Sequence, residues 1–254
     1  EKAVHYLLGH NDQFNSKSEI TLQLTQRALQ LSSKQRFFHW ELEFPEVWYK
    51  GGKRRENPGF DAVIGNPPYG RLLSEVERVF SRVAYNSSGS TFDVFGMFLE
   101  RGTSLLKKRR FLGMIIPSGW LTAREHVPLR TFLLSHLYPR AIVHLPYDAF
   151  PDAYIDCIVW LARKQTPDLN GVCLVKRFGI REVVKEMPHS TADYATLEIS
   201  AWLNDADKLI ITETGAGFWL RRWSQSAEFI PAEKIIKVGR GITPYIEPAS
   251  NDSR

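Results

Sequence analysis

A chain of 254 residues, 43% hydrophobic and 24% charged, has the composition of a globular protein and the length to bury a substantial core, so disorder is a poor description of it. No apolar run approaches the ~20 residues needed to span a bilayer, and two cysteines, Cys157 and Cys173, supply neither a disulfide framework nor a zinc knuckle, which fits a reducing cytoplasm. Lys and Arg number 33 against 28 Asp and Glu; the resulting +5 suits a polyanionic partner without requiring one.

The chain opens at Glu1 without a charged-then-apolar leader and closes on a polar Asn251-Asp252-Ser253-Arg254, so both ends read as cuts from a longer polypeptide. Apolar residues at helical spacing (Ile20, Leu22, Leu24, Ala28, Leu31) predict a helix over 20–31. An aromatic cluster over 37–48 follows, then a Gly, Pro and Asn-rich loop over 51–59. Residues 60–64 form a short apolar run fit for a buried parallel strand. Helices are expected over 75–83, 92–108 and 128–137, a loop over 86–90, and strands over 111–117, 141–145 and 154–161. Strands alternating with helices argue for an α/β protein with a mostly parallel sheet. The link from Pro146 to Ala153 is too short for a crossover helix, so the strand after it should run antiparallel to its neighbour. Beyond Pro167 come a strand over 172–178, a mixed region and an amphipathic stretch over 217–223.

The chemistry concentrates in Asn66-Pro67-Pro68-Tyr69, at the carboxyl end of the 60–64 strand, the edge at which open α/β sheets hold ligands. An exocyclic amino nitrogen conjugated to a ring is a weak nucleophile because its lone pair is delocalised. Two acceptors on its N–H groups orient it and shift electron density toward an incoming methyl group. The Asn66 side-chain oxygen and the Pro67 carbonyl are such acceptors; successive prolines fix φ and restrict the residue before each, pre-aiming that carbonyl. Tyr69 can stack on the ring, a contact worth ~1–3 kcal/mol per base. The plain alternative is a rigid turn with Tyr69 as a core aromatic.

The decapeptide Phe60-Asp61-Ala62-Val63-Ile64-Gly65-Asn66-Pro67-Pro68-Tyr69 resembles the catalytic motif of adenine-N6 DNA methyltransferases. Residues 38–47, 93–100, 115–121 and 150–156 resemble stretches of the large restriction-modification and phage-exclusion methylases, so the likeness runs from about 37 to 164. It implies a partial S-adenosylmethionine-dependent, Rossmann-like sheet, with strands that in the family are the fourth to the seventh. It also implies in-line methyl transfer to N6 of an adenine flipped out of double-stranded DNA. Asn66 and Pro67 would hold the amino group and border the cofactor, Pro68 would stiffen the bend and Tyr69 would stack on the base.

The family's Phe-x-Gly-x-Gly cofactor loop is absent from residues 1–59, whose glycines are Gly9, Gly51 and Gly52; Gly215-Ala216-Gly217 precedes residues too bulky to cover a nucleotide closely. The remainder of a full-length polypeptide is therefore the expected holder of the cofactor, and the chain alone is not expected to methylate. In relatives an aromatic follows the Pro-x-x-Trp-Leu signature; His126 falls at that place here, either stacking on the base or standing exposed at a helix start. Lys53 and Arg54, in the basic run Lys53-Arg54-Arg55, either contact DNA phosphates or form a solvated hairpin tip. Lys107 to Arg110 read as cations at a helix end. Seven histidines without ligand spacing predict no metal site, and no Glu-x-Lys or Asp-x-Lys triplet marks a nuclease centre. The domain expectation is the latter half of a catalytic domain over 1–165, a connector over 166–230 and the opening of a target-recognition domain over 231–254. The same tetrapeptide also serves enzymes that methylate protein glutamine or RNA guanine, and a non-catalytic DNA-binding module is a further alternative.

Overall fold

The computed structural model describes residues 25–213, apart from 28, 31–32, 34–37, 71–72, 89–92, 151–154, 180–181 and 188–189. The amphipathic stretch over 217–223, the Gly215-Ala216-Gly217 triplet and the segment 231–254 lie outside these residues, as does much of the helix expected over 20–31. The chain divides into two compact units, Glu1–Gly59 and Phe60–Arg254.

In the first unit two short helices, α1 (Trp40–Glu43) and α2 (Pro45–Trp48), precede a hairpin of β1 (Tyr49–Lys50) and β2 (Lys53–Arg54). Its tip is Gly51-Gly52, with φ of 57° and 75°, the left-handed geometry that two-residue hairpin loops require and that glycine adopts without a steric penalty. The aromatic cluster forms a packed set, with Trp40 and Phe44 stacked at 6.0 Å and Phe38 edge-on to Trp40 at 4.9 Å.

The second unit is a six-stranded sheet with helices on one face. Its elements in chain order are β3 (Phe60–Gly65), α3 (Glu75–Ala84), α4 (Val94–Leu105), β4 (Leu106–Pro117), α5 (Val127–His136), β5 (Leu137–His144), β6 (Cys157–Lys164), β7 (Val172–Arg177), β8 (Ala195–Glu198) and α6 (Ser200–Asn204). The strand order is β3-β4-β6-β5-β7-β8. Pairs β3/β4 and β5/β7 are parallel, whereas β6 runs antiparallel to both β4 and β5, as the short link before it requires. A second antiparallel strand, β8, closes the far edge against β7.

Strand alternation builds the core. Leu112, Met114 and Ile116 of β4 face the same side as Ala162, Trp160 and Ile158 of β6, their register partners, and all six are buried. Leu99 of α4 and Leu129 and Leu133 of α5 cover them, each fully buried aliphatic side chain contributing about 1.5–3 kcal/mol. Helix α4 can approach this closely because position 102 is glycine: a Cβ there would lie 2.9 Å from a Leu112 methyl and 3.3 Å from one of Val63. Helix α3 is held by a capping box between Ser74 and Glu77.

Two expectations are corrected. The 60–64 run does not form a buried strand: β3 is the end strand of the sheet order and Ile64 is 83% exposed. The burial of an apolar strand is decided by what covers its faces: Ile64 lies beside Gly113 and Leu161 on the face where Phe111 and Leu161 are exposed too, and no strand pairs with the other side of β3 among the described residues. Residues 107–110 do not end a helix; α4 stops at Leu105 and they begin β4, where Arg109 sits at φ 64° beside a register irregularity between β3 and β4. Lys107 and Arg110 pair with Asp61 at 2.8 and 2.9 Å, and Lys164 instead donates to the Ser104 and Leu106 carbonyls at the helix end.

Candidate active site

Strand β3 delivers Asn66-Pro67-Pro68-Tyr69 to the carboxyl edge of the sheet. Asn66 and Pro68 are exposed, Pro67 is buried and Tyr69 half-buried. The bend rests on the two strands next along the sheet. The Tyr69 hydroxyl donates to Asn66 Oδ1 at 2.7 Å and lies 3.3 Å from the Ile115 carbonyl of β4, while the Cys157 thiol at the start of β6 donates to the phenol oxygen at 3.8 Å. Burial, then the Cys157 contact, pushes the Tyr69 phenol well above the usual tyrosine range, so it stays protonated and a hydrogen-bond donor. Burial likewise raises the Cys157 thiol, which therefore remains S–H at neutral pH. The bend thus offers neutral oxygens beside a half-buried, protonated phenol, an arrangement suited to recognising an amino group attached to an aromatic system.

His126 is buried at the start of α5, its Nε2 3.4 Å from Asp93 and its ring packed at 5.8 Å from Phe95. Neither of its sequence-based alternatives describes this placement, since the ring is not exposed and its contacts are with the protein. Lys53 and Arg54 belong to the first unit, on the hairpin; Arg54 is held by Glu41 at 3.2 Å and lies 5.9 Å from the Tyr49 ring centre, whereas Lys53 is exposed.

A cavity of about 310 Å³ at the same edge went unread in the sequence. Ser118, Thr122, His144, Tyr147, Arg177 and Thr212 line it, and Cys157 joins its wall to Tyr69. At its floor the His144 Nε2 is 2.8 Å from the Thr212 hydroxyl. Arg177 approaches both groups, at 3.4 and 3.3 Å, and pairs with Glu213 at 3.5 Å at the rim. Burial, followed by the Arg177 charge, lowers the His144 pKa to about 4, so the ring is neutral at physiological pH. The partners are 33 and 68 residues apart in the chain, a separation no local pattern reports; the available signal was a histidine ending a core strand at a ligand-bearing edge. The cavity wall is fixed by Arg130, fully buried in α5, whose Nη1 donates to the carbonyls of Trp120 at 2.6 Å and Ala123 at 2.7 Å while Nε donates to that of Asp207 at 3.0 Å.

Known proteins resemble this sequence. The profile of the Eco57I restriction-modification methylases matches residues 4–150. A Methanocaldococcus jannaschii protein assigned as a type II restriction enzyme and methyltransferase is 30% identical over 200 residues, 79% of this chain and 16% of that protein. The adenine-specific methyltransferase BrxX of Escherichia coli is 31% identical over 93 residues, 36% of this chain and 8% of BrxX. The chain thus spans only a small part of the length of these curated relatives. The crystal structure of the type IIG restriction endonuclease BpuSI aligns with a TM-score of 0.45 at 16% identity, over 65% of this chain and 22% of that one. Because the matched span covers more than half of the chain and takes in the Asn-Pro-Pro-Tyr bend with strands β3, β4 and β5, this chain belongs to the Eco57I restriction-modification methylase family.

Proposed function

We propose that this chain carries the base-handling half of a DNA methyltransferase that moves a methyl group from S-adenosylmethionine to N6 of an adenine extruded from duplex DNA. One observation carries the reading: the neutral Asn66 oxygen and the rigid Pro67 carbonyl stand at the carboxyl lip of β3 beside a half-buried tyrosine ring. Two acceptors on the N–H groups of the adenine hold the amino nitrogen with its remaining electron pair facing the methyl donor. The ring of Tyr69 replaces part of the stacking lost on extrusion, a cost of a few kcal/mol against ~1–3 kcal/mol per stacked base. The adenine-specific activity named for BrxX favours this target over other conjugated amino groups.

S-adenosylmethionine supplies an electrophilic methyl on a sulfonium. Neutral oxygens at the bend fit the neighbourhood of that methyl, because they accept from the amino group without themselves being strong nucleophiles. We infer that the rest of the cofactor is held mainly by other parts of a longer polypeptide. The sheet face opposite α4 and α5 supports this: Ile64 of β3, Phe111 of β4 and Leu161 of β6 show apolar surface there, and no strand pairs with the other side of β3 among the described residues. Lys53 is an exposed cation of the hairpin suited to a DNA phosphate, whereas Arg54 is engaged by Glu41. In the intact polypeptide, Asn66→Ala should abolish transfer of labelled methyl to unmethylated genomic DNA, and nucleoside analysis of the wild-type product should find N6-methyladenine. Undiminished transfer by the variant, or label on another base, on RNA or on protein, refutes the proposal.

A further inference from the structure

The Asn66 side chain is exposed, and an amide is useful to an amino group only if its oxygen, not its NH₂, faces that group. Its one hydrogen bond among the described residues is from the Tyr69 hydroxyl, at 2.7 Å. A phenol has one proton and could give it to Asn66 or to the Ile115 carbonyl 3.3 Å away, while accepting from the NH₂ of Asn66 in the second case. The Cys157 thiol biases the choice. By donating to the phenol oxygen at 3.8 Å it takes one of that oxygen's two lone pairs and disfavours a second bond from Nδ2, so the phenol proton goes to the nearer acceptor, Oδ1 at 2.7 Å rather than the Ile115 carbonyl at 3.3 Å.

We propose that Cys157 and the Tyr69 hydroxyl form a positioning relay, thiol to phenol to amide, that fixes Asn66 with its oxygen toward the reacting amino group. This rests on the base-handling role given above to Asn66, and adds that the tyrosine acts through its hydroxyl as well as its ring. An amide oxygen has two lone pairs: one takes the phenol proton and the other remains for the substrate N–H. The relay spans three strands of the sheet, with Asn66 following β3, Ile115 on β4 and Cys157 opening β6, so it is locked to the core and not to a mobile loop.

The test needs neither a recognition sequence nor base extrusion. Fluorescent single-stranded oligodeoxyadenylate and oligodeoxythymidylate of equal length are titrated into the intact polypeptide and the ratio of the two Kd values taken, since only adenine carries the exocyclic amino group. Tyr69→Phe, which keeps the ring, should lower the adenine preference about two- to tenfold, the range of one net hydrogen bond. Cys157→Ala should lower it by up to about twofold, in line with cooperative strengthening along a hydrogen-bonded chain, and Cys157→Ser should restore it. In an Asn66→Ala background, where the preference is already lost, Tyr69→Phe should change nothing further. An unchanged or increased preference in Tyr69→Phe, while Asn66→Ala abolishes it, overturns the relay and leaves the base-handling role standing. A preference that survives Asn66→Ala overturns that role itself. Thermal unfolding of each variant accompanies the titrations, because a packing role alone would move the melting temperature and spare the ratio.

Discussion

Replacing Arg130 with Met tests whether the cavity wall is held by one buried cation. Arg130 is wholly buried and donates to three backbone carbonyls, of Trp120, Ala123 and Asp207, which tie the loop after β4 to the segment following α6. Removing the guanidinium leaves the Trp120 carbonyl without this donor in the interior, at about 1–3 kcal/mol if no water replaces it, and the partly buried carbonyls of Ala123 and Asp207 lose a donor at smaller cost. Against that stands relief of the guanidinium's own desolvation, several kcal/mol, so the two effects partly cancel. Truncating one side of a buried charged network still costs about 3–5 kcal/mol, because the groups left behind are fixed in place. For a domain of this size each kcal/mol moves the melting temperature by about 2–4 °C, which puts the expected loss at roughly 6–20 °C. Tryptophan fluorescence reads the region directly, since Trp120 and Trp160 meet edge-on at 5.2 Å in the same core. Arg130→Lys should recover only part of the loss, because an ammonium cannot reproduce the guanidinium fork. A drop of less than about 2 °C in Arg130→Met, or full recovery by Lys, would show that the loop is held by other contacts.

The His144 ring offers a pH-dependent test. Its folded pKa of about 4 lies below the ordinary histidine value of 6.5, so between these limits the unfolded chain binds the extra proton and stability must fall as pH falls, with most of the loss reached near pH 4. The span corresponds to ~3 kcal/mol, made up chiefly of burial and the Arg177 charge and opposed by Glu213. His144→Asn should flatten the unfolding midpoint over this window relative to wild type, and parallel curves would contradict the assignment. Leu112→Ala should cost about 2–5 kcal/mol in chemical denaturation, whereas Ile64→Ala on the neighbouring strand should stay within about 0.5 kcal/mol in this chain. Equal costs would mean that the open side of β3 is covered.

The strand that carries the bend, the helix over 75–83 and the reversed direction of β6 were legible because each depends on local information: an apolar run, residue spacing and the length of one link. What the sequence hid was set by partners. Phe60 to Ile64 reads as a buried strand, yet its burial belongs to a neighbour the pattern cannot see. The α4-to-β4 boundary falls between Leu105 and Leu106, both buried, so the change from helical to strand spacing leaves no polar mark and the cations after it look like a helix end. Strand β8 and helix α6 are only four and five residues long, too short for a period to emerge. His126 shows the same limit at the site: its place after a signature suggested a base contact, but Asp93 and Phe95, more than thirty positions upstream, occupy it.

These differences bear on why the bend is built as it is. An end strand with one side unpaired is a poor anchor for a group that must hold an amine to within tenths of an ångström, because strand ends move and exposed asparagine side chains rotate freely. The structure counters this with stiffness of two kinds. The paired prolines remove backbone freedom on the exposed side, and the Tyr69 hydroxyl accepts from the Cys157 thiol of β6 and lies 3.3 Å from the Ile115 carbonyl of β4, strands inside the sheet. Precision at the bend therefore derives from the buried strands, while β3 supplies position. A further strand pairing with β3 would then complete the sheet without having to reshape the acceptors. On this argument the acceptor geometry should be the same in the chain as described and in a longer polypeptide, and what changes on completion is access to the methyl donor.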